Sequence, residues 1–306
     1  DIATLCDLVR PEIGVITGIA EAHLETFGSL NQIRSGKGEL FEALPASGFG
    51  ILAGEPRSVM GMAERANCPV LRVGSDEAAD LQATGVSFIE GRLSFQLEGT
   101  TYELRVPGKH FLSAALCAVA VAREIGMTAE EIAAGLAEFH PVEGRANVER
   151  IGTWSVINDA YNASPSSMTA ACEVLEDFTP ARKRILVVGD MLELGTEAAR
   201  LHRELGHTIA AHRIDHLIAF GPHAGEVTAG GVNAGMHAYQ VAQAESLETV
   251  QLLLDCWLEP NDAILIKGSR GMQMERVISW LRDQAAREEQ PEPPGTGART
   301  DLRAVA

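Results

Sequence analysis

The sequence predicts an α/β protein of two domains, and three observations predict it. Short β-branched apolar runs alternate with amphipathic helical stretches, the pattern of parallel strands buried on both faces. One segment, residues 86–106, breaks that pattern with a period of two. A second break at 141–145, where proline, glycine and charge cluster, separates two structured blocks. With 306 residues, 46% of them hydrophobic, the chain can bury two cores.

The chain starts at Asp1, already within a helical stretch, and is therefore expected to be a fragment of a longer protein. Ile13-Gly14-Val15-Ile16-Thr17 reads as a buried parallel strand. A helix is expected from about Leu30, with Ile33, Leu40, Phe41 and Leu44 at helical spacings and Ser29 as its N-cap. Strands follow at 49–53 and 69–73, with a helix over 59–66 between them. Glu90-Gly91-Arg92 and Glu98-Gly99-Thr100 are the turns of an antiparallel meander. Pro107-Gly108-Lys109-His110 leads into an alanine-rich helix, 111–125, and Thr128-Ala129-Glu130-Glu131 opens another with a capping-box pattern.

After the boundary, two strands near 148–151 and 154–157 precede a helix beginning at Ser164-Pro165. Buried strands at 184–188, 217–220 and 263–266 alternate with helices near 198–211, 246–258 and 274–283. This second series is Rossmann-like. The expected domains are 1–143 and 144–286, and the proline- and glycine-rich tail 287–306 is expected to be disordered.

A net charge of −17 provides no basic field for nucleic acid or an acidic membrane surface. Five scattered cysteines, with no CxxC pair, fit reduced thiols in a cytoplasmic protein. No apolar run approaches the roughly 18 residues of a membrane helix, so no membrane insertion is expected.

The polar residues that end predicted strands are the candidates for chemistry, because open α/β sheets bind ligands at that edge. His23 follows the first strand and Lys37 lies on the next helix between Gly36 and Gly38. Two glycines inside a helix cost roughly 1 kcal/mol each against alanine, which implies that something approaches the backbone closely. Asn158-Asp159-Ala160-Tyr161-Asn162-Ala163-Ser164-Pro165 is a polar loop before a helix N-terminus, suited to an anion or to ordinary capping. Gly189-Asp190 and Lys267-Gly268-Ser269-Arg270-Gly271 also follow core strands, and the latter suits carboxylate or phosphate capture.

Together with Ala22-His23-Leu24-Glu25-Thr26-Phe27-Gly28-Ser29 and Lys37-Gly38-Glu39, these motifs resemble the Mur ligase family. The resemblance runs in unbroken order over roughly residues 2–281. It implies a central P-loop-type ATPase domain, here incomplete, followed by the Rossmann-like domain. It also implies ATP-driven amide formation through an acyl phosphate, with two Mg2+ ions. The Tyr-Asn-Ala and Lys-Gly-Ser-Arg elements point to the branch acting on UDP-N-acetylmuramoyl-tripeptide and D-alanyl-D-alanine, as a monomer.

By the same resemblance His23 and Lys37 are catalytic and metal-binding, Lys37 as a carbamate that the flanking glycines would accommodate. Asn162, Tyr161, Asp159, Arg145, Asp190 and His202 would contact ATP. Lys267, Ser269 and Arg270 would hold the peptide or dipeptide carboxylates. The family's Gly-x-x-Gly-Lys-Thr-Thr phosphate loop, its UDP-binding domain and a magnesium-binding glutamate are absent, and Gly18 and Ser164 stand where asparagines are common. The 306 residues alone are accordingly expected neither to bind ATP tightly nor to turn over. A ligase of the folylpolyglutamate synthetase type and a non-catalytic nucleotide-binding remnant are the alternatives.

Overall fold

The computed structural model describes residues 1–21, 24–54 and 56–288. The first body comprises α1 (Ile2–Val9), β1 (Ile13–Ile16), α2 (Leu24–Phe27), α3 (Leu30–Glu42), β2 (Phe49–Ala53), α4 (Pro56–Val59), β3 (Val70–Gly74) and β4 (Leu81–Gln82). It continues with β5 (Thr84–Ile89), β6 (Arg92–Leu97), β7 (Thr100–Arg105), α5 (Phe111–Glu124) and α6 (Ala129–Ala137). Strands β1 to β4 form an all-parallel sheet in sequence order, and β5 to β7 form the expected antiparallel meander. Ser29 caps α3 by accepting from the Gln32 amide at 3.3 Å. One core packs Ile33, Phe41 and Leu44 of the α3 region against Ile16 and Leu52. A second core joins the parallel sheet, the meander and the buried face of α5 around Phe95 and Tyr102.

The second body runs β8 (Asn147–Ile151), β9 (Trp154–Asp159), α7 (Pro165–Asp177), β10 (Arg184–Gly189), α8 (Ala198–Ala210), β11 (His216–Phe220), α9 (Ala224–Asn233), β12 (Val241–Ala244), α10 (Leu247–Trp257), β13 (Ala263–Lys267) and α11 (Glu275–Glu288). Its sheet has the order β12-β11-β10-β13-β9-β8, parallel throughout except for β8. Successive strand residues alternate faces: Leu186 and Val188 bury against α7, α8 and α9, whereas Ile185 and Val187 bury against α10 and α11.

Two expectations need correction. The helix over 59–66 is the end of α4 and one 3-10 turn, Ala63–Arg65, separated by Gly61 at φ +77°, a left-handed conformation that a right-handed helix cannot propagate through. Helix α9 was missing from the expected elements because Gly225, Gly230 and Gly231 lower its intrinsic propensity. Those glycines serve packing: a Cβ on Gly206 would lie 2.1 Å from the Val227 carbonyl, and one on Gly230 would lie 2.2 Å from that of Arg203. Backbone meets backbone where α8 and α9 cross, and the contact compensates the propensity.

The bodies touch at several points. Leu24 packs into a core of each, and the Glu25 amide donates to the Glu193 carbonyl at 2.9 Å. Gly108 abuts Val174 of α7, and Lys109 approaches Asp177 at 3.9 Å. The five cysteines are unpaired, three of them buried and Cys256 exposed. Among the described residues no helix is long and apolar enough to cross a membrane. Most of the expected tail, from residue 289 onward, lies outside the described residues.

Candidate functional site

The carboxyl edge of the second sheet splits at β13. Its neighbours β9 and β10 lead to helices on one face, and β13 leads to α11 on the other. Chain exits that diverge in this way open a crevice at the strand ends. Asp159 ends β9 and Lys267 ends β13, and the Lys267 ammonium donates to Asp159 Oδ2 at 2.6 Å and to the Asn162 carbonyl at 3.0 Å. Asp159 Oδ1 accepts from the Ala146 amide at 3.1 Å. Burial lowers the pKa of Lys267, and the Asp159 carboxylate opposes that shift.

Of the residues expected to bind substrate, Lys267 is 2% exposed and already paired with Asp159. Ser269 is buried too, its hydroxyl accepting from the Leu192 amide at 2.8 Å and its amide donating to the Asp190 carbonyl at 3.1 Å. Of the three, Arg270 alone is solvent-facing, with a 3.2 Å bond to Glu275.

Asp190 and His202, expected near ATP, are interior groups. Asp190 accepts from the His223 amide, and burial raises its pKa. His202 Nε2 accepts from the Met191 amide at 2.9 Å, so its proton sits on Nδ1, facing the Ala198 carbonyl at 2.7 Å. Its ring stacks on His223, and burial lowers its pKa. These residues fix the turn after β10 from below.

The exposed groups form a row. The Arg145 guanidinium lies 4.2 Å from the Tyr161 ring centroid and that of Arg270 lies 6.0 Å from the same ring. On one side of Tyr161, a cavity of about 610 Å³ lies between the bodies, bounded by Arg145, Asp159 and Lys267 at one end and by Phe111, Phe139 and Val142 at the other. On the other side, Asn162, Ser164, Ser269 and Arg270 line a smaller opening of about 190 Å³ with Glu21 of the first body. Asn162 Oδ1 is engaged by the Ala163 amide at 2.8 Å. A larger cavity, about 840 Å³, lies between the meander and the end of α7, but no strand-exit residue of the second sheet lines it.

The segment after β1 forms the shared wall. The Thr17 carbonyl accepts from Ser113 of α5 at 3.2 Å, and the Gly18 carbonyl accepts from Lys37 at 3.1 Å. Lys37 is half-buried, which lowers its pKa, and it makes no ion pair with a described carboxylate. A Cβ built on Gly18 meets nothing within 4 Å.

The two glycines flanking Lys37 have another cause than the one expected. A Cβ on Gly36 would lie 3.0 Å from the Phe27 ring. Gly38 lies under the guanidinium of Arg65, which donates to the Ser35 carbonyl at 2.8 Å and pairs with Glu42. The backbone is indeed approached closely, but by the protein itself. His23 lies outside the described residues, among which no cluster of three His, Cys, Asp or Glu side chains forms a metal site.

Sequence reasoning missed Glu21, Ser113, Phe111 and Phe139. Phe111 and Ser113 sit in the first turn of α5, directly after the Pro107-Gly108 turn, and that position at a helix start was the available signal.

Residues 1–122 match the Mur ligase middle domain, and residues 144–270 match the Mur ligase glutamate ligase domain. The chain belongs to the Mur ligase family. It is similar to the UDP-N-acetylmuramoyl-tripeptide--D-alanyl-D-alanine ligase of Escherichia coli (strain K12), with 34% identity over 92% of this chain and 63% of the relative. The enzyme of the same name from Bacillus subtilis (strain 168) is 30% identical over 92% of this chain and 61% of the relative. The crystal structure I of MurF from Acinetobacter baumannii superposes with a TM-score of 0.82 at 27% identity, over 92% of this chain and 62% of that one. The chain thus spans about three fifths of the length of the curated relatives it matches.

Proposed function

We propose that this chain is the central and C-terminal part of an ATP-dependent ligase that joins D-alanyl-D-alanine to UDP-N-acetylmuramoyl-tripeptide in cytoplasmic peptidoglycan precursor synthesis. The names of its relatives support that reaction. The structural observation that carries the reading is the row Arg145–Tyr161–Arg270, which links the two openings between the bodies at the carboxyl edge of the sheet.

In this reading the nucleotide lies in the cavity of about 610 Å³ with its phosphates directed past Arg145. Asp159 retains lone pairs for a ribose hydroxyl beside its bond to Lys267. Asn162 directs its amide NH2 toward phosphoryl oxygens from the smaller opening. The peptide carboxylate attacks the γ-phosphorus, the bond to the bridging oxygen breaks, and ADP departs. The dipeptide amine then attacks the acyl carbon, loses its proton, and expels inorganic phosphate. Arg270, exposed and planar, offers a fork for a substrate carboxylate during that second step.

Lys37 suits carbamylation. Its burial favours the neutral amine that attacks CO2, a proton leaves nitrogen, and the space beside Gly18 accepts the new carboxylate. As a carbamate, with His23, it would hold Mg2+, which supplies positive charge against the phosphoryl oxygens.

The test is a chimera that joins the leading two fifths of the Escherichia coli relative to this chain. Phosphate release that requires both UDP-N-acetylmuramoyl-tripeptide and D-alanyl-D-alanine is the expected result. A folded, nucleotide-binding chimera that releases phosphate only with a different amine acceptor would overturn the proposal.

A further inference from the structure

The smaller opening, about 190 Å³, carries charges of both signs, and the two bodies supply them separately. Arg270 comes from the loop after β13, and Glu21 from the segment after β1. Pockets for drug-sized ligands run to roughly 300–1,000 Å³, so the occupant here is a smaller molecule. Ala163, Leu192 and Leu194 add apolar wall. The bodies are joined at this opening, because Glu193, which also lines it, accepts the Glu25 amide at its carbonyl at 2.9 Å.

Two of its charged groups are left for a ligand. Ser164 is held in its own capping box, and Ser269 accepts from the Leu192 amide at 2.8 Å. Arg270 spends one nitrogen on Glu275 at 3.2 Å, but its side chain is 67% exposed and the rest of the guanidinium is open. Glu21 is half-buried and makes no hydrogen bond or ion pair with another described residue, Arg270 included. A half-buried carboxylate gains most from a cationic partner, and an open guanidinium from an anionic one. Held apart in one small opening, they fit a molecule with an ammonium at one end and a carboxylate at the other. Such a zwitterion has no net charge, so the −17 of the chain does not repel it.

We propose that Glu21 holds the ammonium of the acceptor dipeptide while Arg270 holds its carboxylate, so that the acceptor site takes one charge from each body. The inference rests on the ligase reading given above and adds to it the residue that recognises the amine. The orientation is a productive one. Glu21 lies three residues beyond Gly18, whose carbonyl accepts from Lys37 at 3.1 Å. The amine is thereby directed to the wall where the peptide carboxylate would be activated, and the dipeptide's own carboxylate is kept away from it.

Ligand-observed NMR titration of the whole chain tests it, with D-alanyl-D-alanine and with D-lactyl-D-alanine, in which a hydroxyl replaces the ammonium. The unsubstituted chain should bind the dipeptide about tenfold more tightly, the worth of one hydrogen bond between charged groups. Glu21→Gln should shrink that preference to about threefold or less by weakening the dipeptide, whereas a variant that merely loosens the fold weakens both probes alike. Arg270→Gln should weaken both, because both carry the carboxylate. Equal binding of the two probes by the unsubstituted chain, or of neither, would overturn the inference. So would a preference that survives Glu21→Gln or that disappears in Glu193→Gln instead. The chimera separates this from the ligase reading. If its phosphate release requires D-alanyl-D-alanine and Glu21→Gln leaves the KM for the dipeptide unchanged, the inference alone fails. Release only with a different amine acceptor removes the reading and the inference together.

Discussion

Lys267 and Asp159 meet at 2.6 Å across the ends of two adjacent strands, with side chains only 3% and 14% exposed. The pair ties β13 to β9 at the point where their connections diverge, so it sets the width of the crevice that Tyr161 and Arg270 border. Removing one member of a buried pair leaves the other charge uncompensated, which costs about 3 kcal/mol or more. Lys267→Met should therefore destabilise the chain by about 3 kcal/mol in urea denaturation. Adding Asp159→Asn, which keeps an acceptor for the Ala146 amide, should recover more than half of that loss. Equal stability of the single and double variants would show that the pair is not what holds the strand ends.

Glu176 at the end of α7 should contribute to acid sensitivity. The His212 ring, hydrogen-bonded to its carboxylate at 2.7 Å, and Arg213 hold its pKa below the usual carboxylate range. The folded state then binds the proton more weakly than the unfolded state. Glu176 contributes stability above the unfolded value of about 4.3, and the contribution disappears as pH falls through that value and the folded pKa. A Tm profile taken from neutral to acid pH should fall less steeply for Glu176→Gln than for the unsubstituted chain. Parallel profiles would refute the assignment.

How much of this was readable from sequence depends on the length scale of each interaction. Ser29, Thr128 and Ser164 announced their helices because capping is decided within four residues. The meander was readable for the same reason, since alternation and turn glycines are local. The cause of Gly38 was not, because Arg65, which covers it, lies 27 positions away and nothing local marks the contact. Asp190 follows a core strand at the functional edge, yet its burial, and that of His202 on α8, is a tertiary property that no local pattern marks. The cavity wall was invisible for a related reason: nothing local marks that the fold brings Phe111, at the start of α5, within 6.1 Å of Phe139, just after α6.

Lys37 should carry CO2. With 13C-enriched bicarbonate, an NMR spectrum of the chain should show a carbamate carbon, growing as pH rises because only the neutral amine reacts. Lys37→Arg should abolish the signal, since a guanidinium stays protonated throughout that range. Persistence of the signal in Lys37→Arg would assign it to another amine. Its absence from the unsubstituted chain under saturating bicarbonate would remove the carbamate from the mechanism.

The glycine contact between α8 and α9 should be the least substitutable packing in the second body. A Cβ on Gly206 meets the Val227 carbonyl at 2.1 Å, the Gly231 amide at 2.6 Å and Gly230 Cα at 2.8 Å. All three are backbone atoms, so no rotamer change relieves the overlap and the helices must separate. Alanine would favour an isolated helix by roughly 1 kcal/mol, but overpacking costs about 3 kcal/mol here and wins. Gly206→Ala should lower stability by about 2 kcal/mol net, whereas Gly235→Ala, where a Cβ meets nothing within 4 Å, tests the alternative cause. Gly235 sits at φ +114°, so its loss reflects backbone strain and should leave the α8–α9 amides as protected from hydrogen exchange as before. Gly206→Ala should instead accelerate exchange along both helices. If the α9 amides keep their protection in Gly206→Ala, the two helices do not depend on that contact.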